Sequence, residues 1–208
     1  MTIVLDHVLF GTPDLESASH DFAALTGVTP VVGGSHPGLG TRNHLAALGP
    51  GLFFELIGLD PAQTTRGEWA QHIAAMPDPA LMTFAVQTDD LDAAEAAARA
   101  AGLTPGPRRA MSRTRPDGVR LAWTILPLEK PGFAQVIPFI IDWQGSPHPS
   151  QTTPTGCLLE QFTVLHPQPA ALAGIYAALG LRIPVMAGIR PGFVLVITTP
   201  RGRVQFQG

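Results

Sequence analysis

The sequence predicts an α+β fold of repeated βαβββ units whose curved sheets enclose a barrel-like cavity. Three observations lead there. The chain is self-similar: "LDHVLFGTPDLESASHDFAALTGVTP" from Leu5, "LMTFAVQTDDLDAAEAAARAAGLTP" from Leu81 and "LEQFTVLHPQPAALAGIYAALGLRIP" from Leu159 follow one plan, a strand, a capped helix and a glycine-containing exit ending at proline. Each segment is followed by short runs with strand character. The 21 prolines and 22 glycines among 208 residues suit many short strands joined by turns rather than long helices.

In the first unit, residues 1–60, the opening strand leads to a helix with Leu15, Ala18, Phe22 and Leu25 on one face. Thr12 is the expected N-cap, Pro13 the first helical residue and Gly27 the C-terminal cap. Strands are expected at 29–32, 41–48 and 52–59. Residues 61–80 hold a bridging helix at 68–76, with Trp69, Ile73 and Met76 on one face. The second unit, 81–144, repeats the plan. Thr88 or Asp89 caps a helix striped by Leu91, Ala94 and Ala98, Gly102 ends it, and strands follow at 108–113, 119–126 and 135–143. Residues 145–157, rich in Pro, Ser and Thr, read as a linker. The third unit, 158–208, is shorter. Pro169 starts its helix, Leu172, Ile175, Tyr176 and Leu179 stripe it, Gly180 ends it, and strands follow at 183–186, 193–198 and 203–206.

One curved sheet cannot bury its concave face alone. Two side by side close most of a barrel around a cavity, a common place for a small ligand. The third unit is expected to close within the chain or against a second copy of it, as a homodimer.

Composition narrows the function. Hydrophobic residues make up 45% of the chain and charged ones 14%, the net charge is −3, and Lys130 is the only lysine. A nucleic-acid partner would require a broad basic face, and none is visible; the local run of arginines from Arg108 to Arg120 reads as a solvated strand edge. Cys157 stands alone, so no disulfide or thiolate cluster forms within the chain. No apolar run approaches a membrane span and no leader-like segment opens the sequence, so a cytoplasmic protein without a membrane partner is expected.

Glu55 lies in "GLFFELIG" on the face of Phe53 and Ile57, and His7 on the opening strand is expected to share a face with Ile3, Leu5 and Leu9. A carboxylate in so apolar a strand is costly unless it is paired or bound to a cation. The stretch "GGSHPGLGTRNHL" is no phosphate loop, since no Lys-Ser/Thr follows and it precedes a strand. It reads as a loop over the cavity mouth carrying His36, Thr41 and Asn43. A three-residue turn at 49–51 puts Asn43 on the face of Glu55, whereas a two-residue turn puts His44 there. Turn twist favours Asn43 inside and His44 in a structural or exposed place. Trp123, Phe139 and Trp143 are expected in core or pocket wall, with Trp123 the best pocket residue. Arg42 and Arg120 are candidates for a substrate carboxylate. His20, His72, His148 and His166 are expected to be solvated.

The chain resembles the glyoxalase, bleomycin-resistance and extradiol dioxygenase (vicinal oxygen chelate) superfamily. More narrowly, it resembles the bacterial glyoxalase-like domain family. The resemblance rests on "LDHVLF", "GGSHPGLGTRNHLAALGPGLFFELIG" at 33–58, "RPDGVRLAW" at 115–123 and "PFIIDW" at 138–143. It implies that the first and last strands of a unit are neighbours and point ligands into the cavity, where His7 and Glu55 match. Imidazole and carboxylate together suit Zn²⁺, Mn²⁺, Fe²⁺ or Ni²⁺. The second unit places Thr83 and Ile140 at the matching positions, leaving Asp142 as its candidate ligand; the third offers only Gln161 and Gln205.

The expectation is a small-molecule enzyme assisted by a divalent metal on His7, Glu55 and Asp142, of lyase, isomerase or dioxygenase type. Glu55 is its catalytic carboxylate, and His36, Thr41, Arg42, Asn43, Trp123 and Phe139 contact the substrate. No organic cofactor is expected. The alternatives are a metal-free binding or sequestering protein of the bleomycin-resistance type and a structural dimerisation module.

Overall fold

The computed structural model of the chain describes residues 2–115 and 118–208. Residues 116 and 117, within the "RPDGVRLAW" stretch, lie outside the described residues. The elements run β1 (Val4–Thr12), α1 (Leu15–Thr26), β2 (Val31–His36), β3 (Thr41–Gly49), β4 (Leu52–Leu59), α2 (Glu68–Ala74), β5 (Ala80–Gln87), α3 (Leu91–Ala100), β6 (Thr104–Pro105), β7 (Arg109–Thr114), β8 (Arg120–Leu126), β9 (Leu128–Glu129), β10 (Phe139–Asp142), β11 (Leu158–His166), α4 (Pro169–Ala178), β12 (Val185–Ala187), β13 (Gly192–Thr199) and β14 (Gly202–Gln207).

Eight strands form one curved sheet in the order β2-β3-β4-β1-β5-β10-β8-β7. β1 joins the two halves, parallel to β4 and antiparallel to β5. The sheet curls until its end strands approach: the Arg113 side chain on β7 lies 3.4 Å from where a Cβ on Gly34 of β2 would stand. The concave face thus becomes the cavity wall.

The convex face is covered within the chain. A second sheet, β12-β11-β13-β14, packs on it together with α1, α3 and α4, and one hydrophobic core runs through this interface. Phe84 of β5 is its hub, fully buried, with ring centroids 5.2 Å from Phe162 and 6.1 Å from both Phe193 and Tyr176. Phe22 of α1 lies 5.1 Å from Phe54 and 5.9 Å from Phe206, tying the first helix to both sheets. The third repeat therefore closes on its own chain, because its apolar face meets the apolar back of the first two.

Helix punctuation follows local chemistry. α1 is capped not by Thr12 but by Asp14, whose carboxylate accepts from the Ser17 N–H; Thr12 instead closes the turn before it by bonding to Asp14. α3 is likewise capped one residue later than expected, by Asp90, which accepts from Ala93 N–H, while Thr88 accepts from Asp90. Gly27, Gly102 and Gly180 follow their helices at φ near +75°, the left-handed conformation expected of them. Leu25 leaves the predicted stripe and is 54% exposed, because it lies at the edge of the α1 face that packs down.

Two departures from simple alternation shape the site. Register against β5 shifts between Leu5 and His7, making Asp6 the extra residue of a bulge. Leu5 and Ile3 therefore pack into the convex-side core while His7 and Leu9 face inward, correcting the expectation that all four share a face. Further on, a 3₁₀ turn at Ala134–Val136 replaces the start of the strand expected at 135–143. Phe139 and Ile141 of the remaining strand pack on the concave side, Ile140 on the convex side.

Candidate active site

The cavity inside the curved sheet encloses about 70 Å³ between β1, β3, β4, β7 and β8, with α2 and the 3₁₀ turn at Pro149–Gln151 contributing Trp69 and Pro149 to its rim. β1 and β4 place the two central residues. Their parallel register sets Leu9 opposite Glu55 and His7 opposite Phe53, and the His7 Nε2 to Glu55 Oε2 distance is 3.3 Å. The His7 ring stacks on Phe53, centroids 4.4 Å apart, and takes the edge of Phe139 at 5.6 Å. Packing on two faces holds the imidazole in one plane.

The other ring nitrogen, Nδ1, is hydrogen-bonded to Asp6. Asp6 is fully buried and also accepts from Trp143 Nε1 at 2.9 Å and bonds His148 Nε2 at 3.0 Å. Asp6, His7 and Glu55 thus form a continuous chain, carboxylate–imidazole–carboxylate, ending at the cavity. Burial works against charge on all three groups, and the bonds between them outweigh it. His7 is raised from 6.5 to about 9 by Asp6 and Glu55. Asp6 is lowered to about 2 by His148 and His7, and Glu55 to about 2 by its bonds to His7 and Asn43. At neutral pH the chain is an imidazolium between two carboxylates.

The loop and strand after α1 finish the wall. Asn43 Nδ2 donates to Glu55 Oε1 at 2.6 Å. It also reaches His36 Nε2 at 3.3 Å, while His36 Nδ1 meets Thr41 Oγ1 at 2.8 Å. Burial keeps His36 neutral, which fits an Nε2 that accepts from Asn43 and an Nδ1–H that donates to Thr41. Asn43 Oδ1 is buried without a hydrogen-bond partner. Asn43 faces inward because β3 and β4 meet through a two-residue turn with a bulge at Gly49 (φ 123°), which restores the parity that a longer turn would give. His44 lies on the other face beneath α1, its Nδ1 3.0 Å from Ser19 Oγ.

Of the residues singled out by sequence, the fold brings His7, Glu55, His36, Thr41, Asn43 and Trp123 to one cavity. Phe139 backs the His7 ring rather than lining the open space. Arg42 points away from the cavity, its guanidinium 3.0 Å from Glu16 of α1, because it alternates with Asn43 on β3. Arg120 lies exposed beside Ser112. Asp142 is excluded too. It shares the parity of Ile140 on β10, and its carboxylate accepts from Gln144 N–H. His148 and His166, expected in solvent, are both sheltered: His148 holds Asp6, and His166 stacks on Phe133.

Four contributors went unread in the sequence: Asp6, Arg113, His148 and Trp69. Asp6 sits beside His7 in "LDHVLF", where a buried acid adjoining a buried histidine was the available signal.

The third donor expected beside His7 and Glu55 is not gathered with them. Among the described residues, no three or more His, Cys, Asp or Glu side chains are arranged to hold a metal ion. Asp142 is on the wrong face, and His36 turns its free nitrogen to Asn43. The second unit meets the pair with Trp123, Ile141 and the cationic Arg113. His7 and Glu55 supply two donors, half of a four-coordinate sphere.

A larger groove, about 810 Å³, lies between β1 and the third repeat, but it holds only Glu160 and Arg182 as ionisable groups and no coupled set. No helix among the described residues is long and apolar enough to cross a membrane.

A family profile described as a glyoxalase-like domain matches residues 5–180. Among solved structures, a hypothetical protein from Staphylococcus aureus superposes with a TM-score of 0.67 at 14% identity, covering 100% of this chain and 85% of its own. A mutant of 4-hydroxymandelate synthase from Streptomyces coelicolor gives 0.56 at 14% identity, covering 98% of this chain and 61% of the synthase. Methylmalonyl-CoA epimerase from Mycobacterium tuberculosis gives 0.46 at 22% identity, covering 66% of this chain and 84% of its own. No curated protein matches the sequence.

Proposed function

The chain belongs to the glyoxalase-like domain family of the vicinal oxygen chelate superfamily, and from that premise we propose that it is a small-molecule enzyme of isomerase or lyase type that moves a proton with Glu55 and His7. The observation that supports this is the buried Asp6–His7–Glu55 chain ending at a cavity. The fold hosts many chemistries, so the reading rests on these groups and not on the fold.

Glu55 is the base. In the empty site its carboxylate is held low by His7. A substrate carbonyl oxygen that takes the His7 Nε2–H removes that bond. Burial, which pushes a carboxyl up, is then opposed by fewer contacts, chiefly the Asn43 bond, so Glu55 becomes a stronger base when substrate is seated. It then takes a proton from the carbon beside the carbonyl. The C–H electron pair becomes the new C=C bond, the carbonyl π pair moves to oxygen, and the His7 imidazolium donates to the resulting enolate. With a hydroxyketone, His7 gives its proton to the enolate oxygen and takes the one on the neighbouring hydroxyl as that C–O becomes a carbonyl, and Glu55 delivers its proton to the former carbonyl carbon, which completes an isomerisation; expulsion of a leaving group on the next carbon completes an elimination. Asp6 touches only His7 in this scheme and acts as a positioning residue.

The aromatic walls, Phe53, Trp123 and Trp143, favour a second reading, a metal-free protein that binds without turnover. One experiment separates them. Small 2-oxo acids and hydroxyketones are incubated with the protein in D₂O and followed by proton NMR. Loss of the α-proton signal with wild type and not with Glu55→Gln supports the enzyme. Binding without exchange by wild type supports sequestration.

A further inference from the structure

We infer that the substrate carries a carboxylate, and that Arg113 is the residue that selects it. The inference rests on the reading of His7 and Glu55 as the reacting groups and adds the substrate class. Arg113 stands on the edge strand β7, at the boundary of two adjoining cavities. The inner one holds His7 and Glu55; the outer one, about 190 Å³, shares Arg113, Leu45 and Pro149 with it.

Among the described residues, Arg113 makes no hydrogen bond or ion pair, although it is partly buried. The other partly buried arginines among the described residues are engaged: Arg42, on the convex side, reaches Glu16, and Arg115 has a partner. Burial lowers Arg113 while Glu55 attracts it from beyond ion-pair distance. Glu55 is not available to it in any case, since its two oxygens are taken by His7 and Asn43. A guanidinium has five donors in a planar fork that matches a carboxylate edge to edge, and it never deprotonates. Leaving such a group half out of water with nothing to hold is costly unless a ligand supplies the acceptor. Gly34 faces it across the closing seam and has no side chain to fill the approach. Thr153, on the wall of the outer cavity, carries a buried hydroxyl with no partner. An acid whose carboxylate sits in the Arg113 fork would extend its carbonyl inward, toward His7 Nε2, without adding a second negative charge beside Glu55.

The test uses the full chain and the fluorescence of the tryptophans that line the inner cavity, Trp69, Trp123 and Trp143. The probes are two- to five-carbon 2-oxo acids and their uncharged amides. The expected result is saturable quenching by acids, at least about tenfold weaker for the matching amides, as expected for the loss of a charge-assisted pair. Arg113→Gln should weaken acid binding by a similar factor and leave amide binding unchanged, and Arg113→Lys should restore part of it. Acids and amides binding alike, acid binding unaffected by Arg113→Gln, or no acid saturating below 10 mM (a ceiling of about 3 kcal/mol of binding energy) would each overturn the inference. Glu55→Gln separates the two claims: if it retains acid binding and retains proton exchange, the role of Glu55 fails while the anchor stands.

Discussion

Glu55 Oε2 stands 3.3 Å from His7 Nε2, on the opposite side of the imidazole from the buried Asp6. Two strands of one unit and the bulge in the first of them are enough to make this line of charges.

Asp6 sets the state of His7. In Asp6→Asn the ring loses its partner at Nδ1, burial is less opposed, and the His7 pKa should fall from about 9 toward or below its ordinary 6.5. Proton-exchange activity should fall roughly tenfold or more, the scale seen when an outer hydrogen-bond partner is lost. An NMR titration of the variant, with its activity measured in parallel, checks both.

Stability should follow the same charges. His7 is raised in the folded protein, so its contribution is full below pH 6.5 and is lost as pH rises through about 9. Asp6 and Glu55 are depressed from 3.8 and 4.5, so theirs is present above those values and is lost as pH falls through about 2. The melting temperature should therefore peak between pH 4.5 and 6.5, and the alkaline decline should flatten in His7→Gln. Thermal melts across this range read it directly.

The third repeat is held at its centre mainly by apolar packing around Phe84, with one buried hydrogen bond from Tyr176. Phe84→Ala removes the ring shared by Phe162, Phe193 and Tyr176 and should cost about 3–5 kcal/mol in urea unfolding. Tyr176→Phe, which only loses the hydroxyl bond to the Val136 carbonyl, should cost about 1–2 kcal/mol.

Gly33 is a spacer for the site. A Cβ there would stand 2.2 Å from Asn43 Oδ1 and 3.0 Å from Leu45. Gly33→Ala should displace Asn43, free one oxygen of Glu55 and lower exchange activity more than it lowers the melting temperature. Equal loss of both would place the effect in folding instead.

Much of this was legible in the sequence, because repeats and periodicity report on packing. The stripes Leu15, Ala18, Phe22 and Leu91, Ala94, Ala98 are buried as their spacing implies; Asn43 faces inward as expected, but through a bulge beside a two-residue turn and not through the longer turn that twist favours. What escaped was set by single-residue shifts and long-range contact. The bulge at Asp6 and the 3₁₀ turn before β10 each change which side chains face inward, and alternation cannot show a phase change of one residue. Alternation therefore places Ile3 and Leu5 on the side of His7 and offers Asp142 as a ligand, where the structure has all three facing away from the cavity. His148 meets Asp6 across 142 residues of chain, from a stretch whose composition signals only a linker. Arg113 reads as a solvent-facing edge residue until the sheet is seen to curl and bring β2 beside it.

The most direct test is the protonation state of one ring. Nitrogen-15 NMR of the His7 imidazole, assigned by its loss in His7→Gln, should show both ring nitrogens protonated at pH 7 and a midpoint well above 8. A neutral ring at pH 7, titrating at or below 6.5, would contradict the carboxylate–imidazolium–carboxylate chain from which the proposed chemistry follows.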